Sequence, residues 1–428
     1  MKILILGINY APEKIGIAVY TGGMATALAA AGHQVTVVAG QPYYPAWRLM
    51  PGHRQTFQRT VEDGVTVVRC PLYIPVNPTG KKRLLHHFSF ALGSVLPMLV
   101  ESIRVRPDVV FCVAPSLIAA PVGRLAAMLC GARSWLHVQD FEAEAAFAAG
   151  LLNGNGWLFR LARRFELLML RAFDRTSSIS PQMCARLVQK GVSPARIVEF
   201  RNSGDLSQVW PLDGPSPYRA EWGIATEHVA LYSGNIANKQ GIEIIVEAAR
   251  RLAHRQDLTF VVCGEGPNRA NLERLAEGLP NIRFHDLQPK ARMNDLVGLA
   301  TVHLLPQLAS AADLLLPSKL INMLASGRPV VATAAAGTGL AQEIEGCGLV
   351  TEPENAAAFA DAVERLLDDR DLHARYARAA RLRAEERWSE RVILERLMRE
   401  LDDLVGQPVD RPAAAASLPG TPGAAPER

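Results

Sequence analysis

At 428 residues the chain exceeds what one hydrophobic core usually fills, so two domains are expected. Apolar residues make up 49% and charged residues 21%, the balance of an ordinary globular protein rather than of a fibrous or disordered one. The net charge of +4 divides unevenly, with 22 Lys and Arg against 12 Asp and Glu in residues 1–205 and 24 against 30 in the remainder. A basic first half suits phosphate groups or an anionic membrane surface, and a merely solvated surface is the plain alternative.

The chain opens on an apolar run, Lys2–Leu6, which predicts a strand. The absence of a basic, then apolar, then small-residue leader there predicts a cytoplasmic protein. A glycine-punctuated loop follows, Tyr10-Ala11-Pro12-Glu13-Lys14-Ile15-Gly16-Ile17, and then a helix over Tyr20–Ala31. Glycine at a strand-to-helix turn lets backbone N–H groups approach an anion, and the helix N-terminus adds partial positive charge. Gly7 lacks the G-x-G-x-x-G continuation of a dinucleotide site. Strands are expected at Val35–Ala39, Val65–Cys70, Val109–Val113, Ser134–Val138 and Thr176–Ser180, with a helix over Ile118–Leu129. Such alternation implies parallel strands with helices on both faces.

Residues 84–100 form the one long apolar stretch of this half, but His86, His87 and Pro97 interrupt it and it is too short to span a bilayer. It reads as a core helix or, with Lys81-Lys82-Arg83 just before it, as a membrane-surface helix. Phe159–Arg175 interleaves Arg with Leu and Phe and reads as a second membrane-surface candidate or as a solvent-facing helix. The segment His137-Val138-Gln139-Asp140-Phe141-Glu142 ends a strand at the sheet edge where α/β domains bind ligands. Asp140 is a candidate to orient an acceptor hydroxyl, and His137 to bond a sugar or position the acid; helix capping is the structural alternative for the carboxylates.

A Pro/Gly-rich connector, Trp210–Pro217, separates this series from a second one. The rhythm restarts at Val229–Ser233 and runs through Leu258–Cys263, Ile282–His285, Val302–Pro306 and Val330–Thr333. After its first strand comes the second glycine loop, Gly234-Asn235 to Lys239-Gln240-Gly241, which does not end in the Gly-Lys-Ser/Thr of a P-loop. Ser318 and Lys319 stand near the start of a short helix, where backbone donors and an ammonium suit a diphosphate. Asn322, one turn on, is placed to reach a ribose hydroxyl. The six scattered cysteines form no CxxC pair, which argues against a disulfide framework or structural zinc.

The motif Tyr-x-Pro-Glu-x-x-Gly-Ile at 10–17, Ala30–Val38, Arg201-Asn202-Ser203-Gly204-Asp205, Tyr232-Ser233-Gly234, the Lys239/Gly241 pair, Val262–Pro267 and Ala325–Thr333 together resemble the retaining glycosyltransferases of family 4. The resemblance runs in order over residues 1–405. It implies an α/β fold of GT-B architecture, in which two Rossmann-like domains face across a cleft and a last helix crosses back to the first. The expected boundaries are 1–205 for the acceptor domain, 206–225 for the hinge, 226–384 for the nucleotide-sugar domain, 385–405 for the crossing helix and 406–428 for a disordered tail.

By the same resemblance, Gly16 approaches the donor phosphates while Gly234, Asn235, Lys239, Glu265, Ser318, Lys319 and Asn322 hold the donor. Lys239 joins Asp140 and His137 as a catalytic candidate, and neither a metal nor a separate cofactor is implied. Many members carry Arg where this chain has Asn235 and a Glu-x7-Glu pair where it has Leu314 and Asn322, which leaves the sugar open. Pro317-Ser318-Lys319 and the stretch from His137 to Glu142 are most similar to the exopolysaccharide subgroup typified by the colanic acid fucosyltransferase. That implies GDP-fucose as donor and a lipid-diphosphate-linked glycan as acceptor, at the inner face of the cytoplasmic membrane, with no nucleic acid partner. A neighbouring subgroup transfers N-acetylfucosamine in capsule and O-antigen assembly. A nucleotide-sugar epimerase would need further cleft carboxylates, and a non-catalytic membrane assembly factor would need no donor loops.

Overall fold

The computed structural model of the chain describes residues 1–14, 16–141, 156–204, 206–236, 240–309 and 316–406. Glu142, Lys239, Leu314 and the expected tail beyond Gly406 lie outside the described residues.

The first sheet contains β1 (Lys2–Gly7), β2 (Gln34–Gly40), β3 (Gln58–Glu62), β4 (Val65–Cys70), β5 (Val109–Ala114), β6 (Arg133–Val138), β7 (Arg175–Ser178) and β8 (Ile197–Glu199). Their order is β3-β4-β2-β1-β5-β6-β7-β8, with every pair parallel except β3 against β4. The pleat of β1 sorts its side chains onto two cores. Ile3 and Ile5 pack with Met24 and Leu28 of α1 (Ile17–Ala30). Leu4 and Leu6 pack on the opposite face, which is covered by α2 (Gly80–Val105), α3 (Ala120–Cys130), α4 (Trp157–Ala172) and α5 (Pro181–Gln189).

The second sheet contains β9 (His228–Ser233), β10 (Leu258–Cys263), β11 (Ile282–His285), β12 (Val302–Leu305), β13 (Val330–Thr333) and β14 (Gly348–Thr351), in the order β11-β10-β9-β12-β13-β14. That is the doubly wound order, in which the crossover reverses direction between the first and fourth strands. The chain continues from α6 (Tyr218–Glu221) through α7 (Glu243–Arg251), α8 (Arg269–Leu275), α9 (Met293–Gly298), α10 (Lys319–Ala325), α11 (Gly339–Ile344), α12 (Ala356–Asp368) and α13 (Arg370–Arg387) to α14 (Glu390–Gly406).

The chain crosses between the domains twice. The first crossing follows β8, where Gly204 bridges to Ser389 and donates from its N–H to Trp388 O at 2.9 Å. The second comes at Ser389, after which Ile393, Leu397 and Leu401 of α14 join Met24 and Leu28 in the first domain's core. The stretch 206–225, expected as a hinge, is instead anchored on the second domain. Val209 and Tyr218 are buried there, Trp210 N donates to Asn294 Oδ1 at 2.9 Å, and Arg381 donates to Val209 O at 2.9 Å.

Candidate active site

In both sheets the order reverses next to the central strand, between β1 and β5 in the first and between β9 and β12 in the second. The C-terminal ends of strands at such a switch point diverge and leave a crevice, the usual ligand site of this architecture. The two glycine loops of the sequence leave from β1 and β9, at these two crevices.

In the first domain the loop after β1 is held by Glu13, whose carboxylate is buried. Its Oε1 accepts from Tyr43 N at 2.8 Å and Tyr44 N at 2.9 Å, and its Oε2 from Asn9 Nδ2 at 2.9 Å. Burial pushes the Glu13 pKa up, and these hydrogen bonds pull it the other way. Gly16 then caps α1 with φ 69 and ψ −150, a left-handed conformation that side chains rarely adopt. A Cβ there would lie 3.5 Å from the Tyr44 ring, so the exposed helix start and the Tyr44 loop approach each other closely.

His137 and Asp140 mark the end of β6. His137 is buried, its Nδ1 2.9 Å from Ser177 Oγ and its ring edge-on to Phe200 at 4.9 Å. Burial pushes its pKa down to about 3, so it is a neutral hydrogen-bonding ring and not an acid. It lines a crevice with Tyr20 and Thr21 of α1, Gln139 just after β6, Asn202 of the first crossing and Glu390 of α14. Gln139 Oε1 accepts from Asn202 Nδ2 at 3.1 Å there. Asp140 is exposed at the same strand end.

The second domain brings together residues far apart in sequence. Tyr232 is fully buried, with its Oη 2.6 Å from Asn235 O, 2.7 Å from Gln240 Oε1 and 2.9 Å from Lys319 Nζ. The Lys319 ammonium also sits 4.0 Å from the centre of the Tyr232 ring. Gly234 has φ 142, and a Cβ on it would come within 3.4 Å of the Lys319 side chain. The amine lies against the loop at ordinary contact distance, and it is the backbone conformation that favours glycine here. Burial pushes the Lys319 pKa down to about 8. Among the described residues no carboxylate pairs with it. A cation held against a backbone loop without a counter-charge is prepared for an anion from outside.

Behind this loop stands the Gly264–Gly266 turn. A Cβ on Gly264 would fall 1.9 Å from Gly234 O, and one on Gly266 would fall 2.3 Å from Ile236 O. Glu265 is exposed and contributes its carbonyl, which accepts from Ile236 N at 2.7 Å. Asn235 and Ser318 are exposed, and Asn322 is half-buried one turn along α10 from Lys319. The structure therefore gathers Gly234, Asn235, Glu265, Ser318, Lys319 and Asn322 around the end of the second sheet.

Sequence reasoning assigned no site role to Glu13, nor to the buried cluster joining the two domains. Glu343 of α11 accepts from Arg201 Nη1 at 3.1 Å, Arg387 Nη1 at 3.2 Å and Trp388 Nε1 at 2.8 Å. Arg201 lies 4.8 Å over the Trp388 ring and also pairs with Glu199. A buried guanidinium with two carboxylate partners keeps its charge more firmly than a free one. Beside it Gly204 abuts Ile321 of α10, which joins the Lys319 helix to the first crossing.

Two family profiles match the chain: a Glycosyl transferase 4-like domain over residues 16–203 and Glycosyl transferases group 1 over residues 227–369. The chain is 39% identical over 377 residues to the putative colanic acid biosynthesis glycosyl transferase WcaI of Escherichia coli (strain K12), covering 86% of this chain and 92% of that protein. Among solved structures it is similar to a sucrose-phosphate synthase from Thermosynechococcus elongatus (TM-score 0.67, 17% identity, 94% of this chain and 98% of that one). It is also similar to Anabaena HepE in complex with UDP (TM-score 0.65, 16% identity, 94% of this chain and 100% of that one). At those identities the two solved structures speak for the fold.

Proposed function

Because the chain belongs to the family 4 glycosyltransferases and has their GT-B fold, we propose that it transfers fucose from GDP-fucose to a lipid-diphosphate-linked oligosaccharide. The setting is the assembly of a colanic-acid-like exopolysaccharide, with the enzyme peripheral on the inner face of the cytoplasmic membrane. The observation that carries the reading is the desolvated Lys319 ammonium, which has no carboxylate partner among the described residues, lies 2.9 Å from Tyr232 Oη and packs against Gly234 at the switch point of the second sheet.

In a retaining transfer the bond from the anomeric carbon to the diphosphate breaks, and negative charge builds on the leaving phosphate. A fixed cation and loop N–H groups already oriented toward that position stabilise the charge without reorganisation. Lys319 would serve that role with no metal ion. From the first domain, the exposed start of α1 at Gly16 would approach the same phosphates. Asp140 would orient the acceptor hydroxyl, while neutral His137 supports the crevice wall.

The test is transfer of radiolabel from GDP-fucose to a lipid-linked oligosaccharide fraction, with and without EDTA, alongside thermal shift against GDP-, UDP- and dTDP-sugars. Stabilisation by GDP-fucose and EDTA-resistant transfer with retention at the anomeric carbon support the reading. Selective stabilisation by a UDP-sugar would replace fucose with another sugar such as N-acetylfucosamine. Loss of transfer on chelation would overturn the metal-independent mechanism.

A further inference from the structure

The helix that the sequence left between core and membrane surface has one buried face and one exposed apolar face. α2 turns Phe90, Ala91 and Met98 into the first domain's core, while Leu84, Leu85, Phe88, Leu92, Leu96 and Ile103 point outward. Leu92 and Ile103 are 68% and 71% exposed. At 100° per residue these outward positions fall in one stripe along the helix. The only charged residue between Leu84 and Ile103 is Glu101, which is buried and paired with Arg59 at 3.2 Å. The stripe therefore runs about 28 Å without an exposed charge, taking 1.5 Å per residue.

It does not stand alone. α3 packs beside α2 and presents Leu125, Met128 and Leu129 to solvent. α4 follows, joined to α3 where Arg124 Nε donates to Ala172 O at 2.8 Å, and presents Trp157, Leu161 and Leu168. All three helices cover the same face of the first sheet, so their outer rows share one side of the domain. Large exposed apolar patches of this kind mark interaction surfaces.

Charge identifies the occupant. Glu101 and Glu166 are the only carboxylates on these three helices; both are buried, and Glu166 is paired with Lys190 at 2.6 Å. The exposed charges are of one sign: Lys81 and Lys82 at the start of α2, Arg104 near its end, and Arg160, Arg163 and Arg164 on α4. A second copy of this face would bring like charges together, which disfavours self-association. An anionic bilayer takes the apolar rows into its acyl boundary and the basic rim against its headgroups. With basic residues at both ends and one side packed on the sheet, α2 lies in the membrane plane and does not cross it.

We infer that the outer faces of α2, α3 and α4 form a bilayer-insertion surface, held by apolar burial and directed to anionic lipid by the surrounding Lys and Arg. The inference shares the membrane setting of the proposed function. Its test needs no sugar nucleotide, so the two can fail separately.

The experiment is flotation of the full chain with vesicles of phosphatidylglycerol and phosphatidylcholine, at low salt and in 0.5 M NaCl. Wild type is expected to float with the anionic vesicles and largely to remain with them at high salt, because apolar insertion is not screened. The variant Leu92→Glu/Leu96→Glu, with both changes on the solvent face, is expected to partition about 100-fold more weakly, about tenfold per leucine withdrawn. Its unfolding temperature should stay at the wild-type value. Lys81→Gln/Lys82→Gln is expected to lose most of the preference for phosphatidylglycerol over phosphatidylcholine. Failure of wild type to float, full release by salt, or wild-type flotation of the leucine variant would each overturn the inference. So would a wild-type dimer, seen by light scattering, that the leucine variant dissolves without any vesicle binding.

Discussion

Replacing Lys319 with Met should make the ligand-free protein more stable and the enzyme worse. The amine titrates at about 8 in the folded chain against 10.5 for an ordinary lysine, because burial withdraws it from water. At 1.36 kcal/mol per pH unit, holding the ammonium there at pH 7 costs the fold about 3 kcal/mol. The unfolded chain keeps its proton to higher pH than the folded one. The penalty is therefore complete below about pH 8 and fades between about 8 and 10.5, where stability rises with pH. Lys319→Met keeps the apolar stem against Gly234 and discards the charge, so calorimetry at pH 7 should show a melting transition several degrees higher. The advantage should vanish near pH 10.5. In the same variant a nucleoside diphosphate loses a charge-assisted contact of about 1.5–3 kcal/mol, roughly 10- to 150-fold in affinity. In wild type that affinity should fall above about pH 8, as the free amine gives up its proton, while the variant stays flat. A variant that melts at or below wild type at pH 7 and binds GDP and UDP as before would refute the account of Lys319 as a strained donor-site cation.

Gly264→Ala should push the Gly234 loop away, since its Cβ would fall 1.9 Å from Gly234 O; a loss of about 1–3 kcal/mol in stability together with loss of donor binding is expected in calorimetry. Glu343→Ala leaves Arg201 and the Trp388 indole without their shared carboxylate, and about 3–5 kcal/mol of destabilisation should appear in denaturant unfolding, with Glu343→Gln milder. Glu13→Ala strands the Tyr43 and Tyr44 amides at about 1–3 kcal/mol each. Turnover should fall in steady-state assays, while nucleotide binding to the second domain, read by titration calorimetry, persists.

The strand and helix rhythm was legible because buried parallel strands are continuous apolar runs, and Lys2–Gly7 or Leu258–Cys263 can be little else. Of the edge strands only β11 was expected; β3, β8 and β14 were not. Gln58–Glu62 is largely exposed and polar, and it becomes a strand only by pairing antiparallel with β4. Ser180, expected as the last residue of a strand, is instead the N-cap of α5, accepting from Met183 N at 3.2 Å. The glycine loops fall at the switch-point ends of β1 and β9, yet the contact between Lys319 and Tyr232 spans 87 positions and has no local signature. Nor has the burial of His137. A histidine at a strand end looks the same in sequence whether its ring is solvated or, as here, buried in the crevice wall against Phe200 and Ser177. Glu13 and Glu343 read as ordinary acidic residues, because what distinguishes them is the set of donors the fold brings around each carboxylate.

The two crossings between the domains lie side by side, with Gly204 bonded to Trp388 and bridged to Ser389. A body held at one point swivels in every direction, but two adjacent tethers act like the leaves of a door hinge and leave rotation about their common line as the easy motion. Sliding one domain past the other would have to break the bridge, the Glu343 cluster or the seat of α14 on α1. The final helix seats the second crossing on α1, so a truncation that removes α14 would free that crossing from the first domain and leave the Gly204–Trp388 bond and the Glu343 cluster as the links between the two.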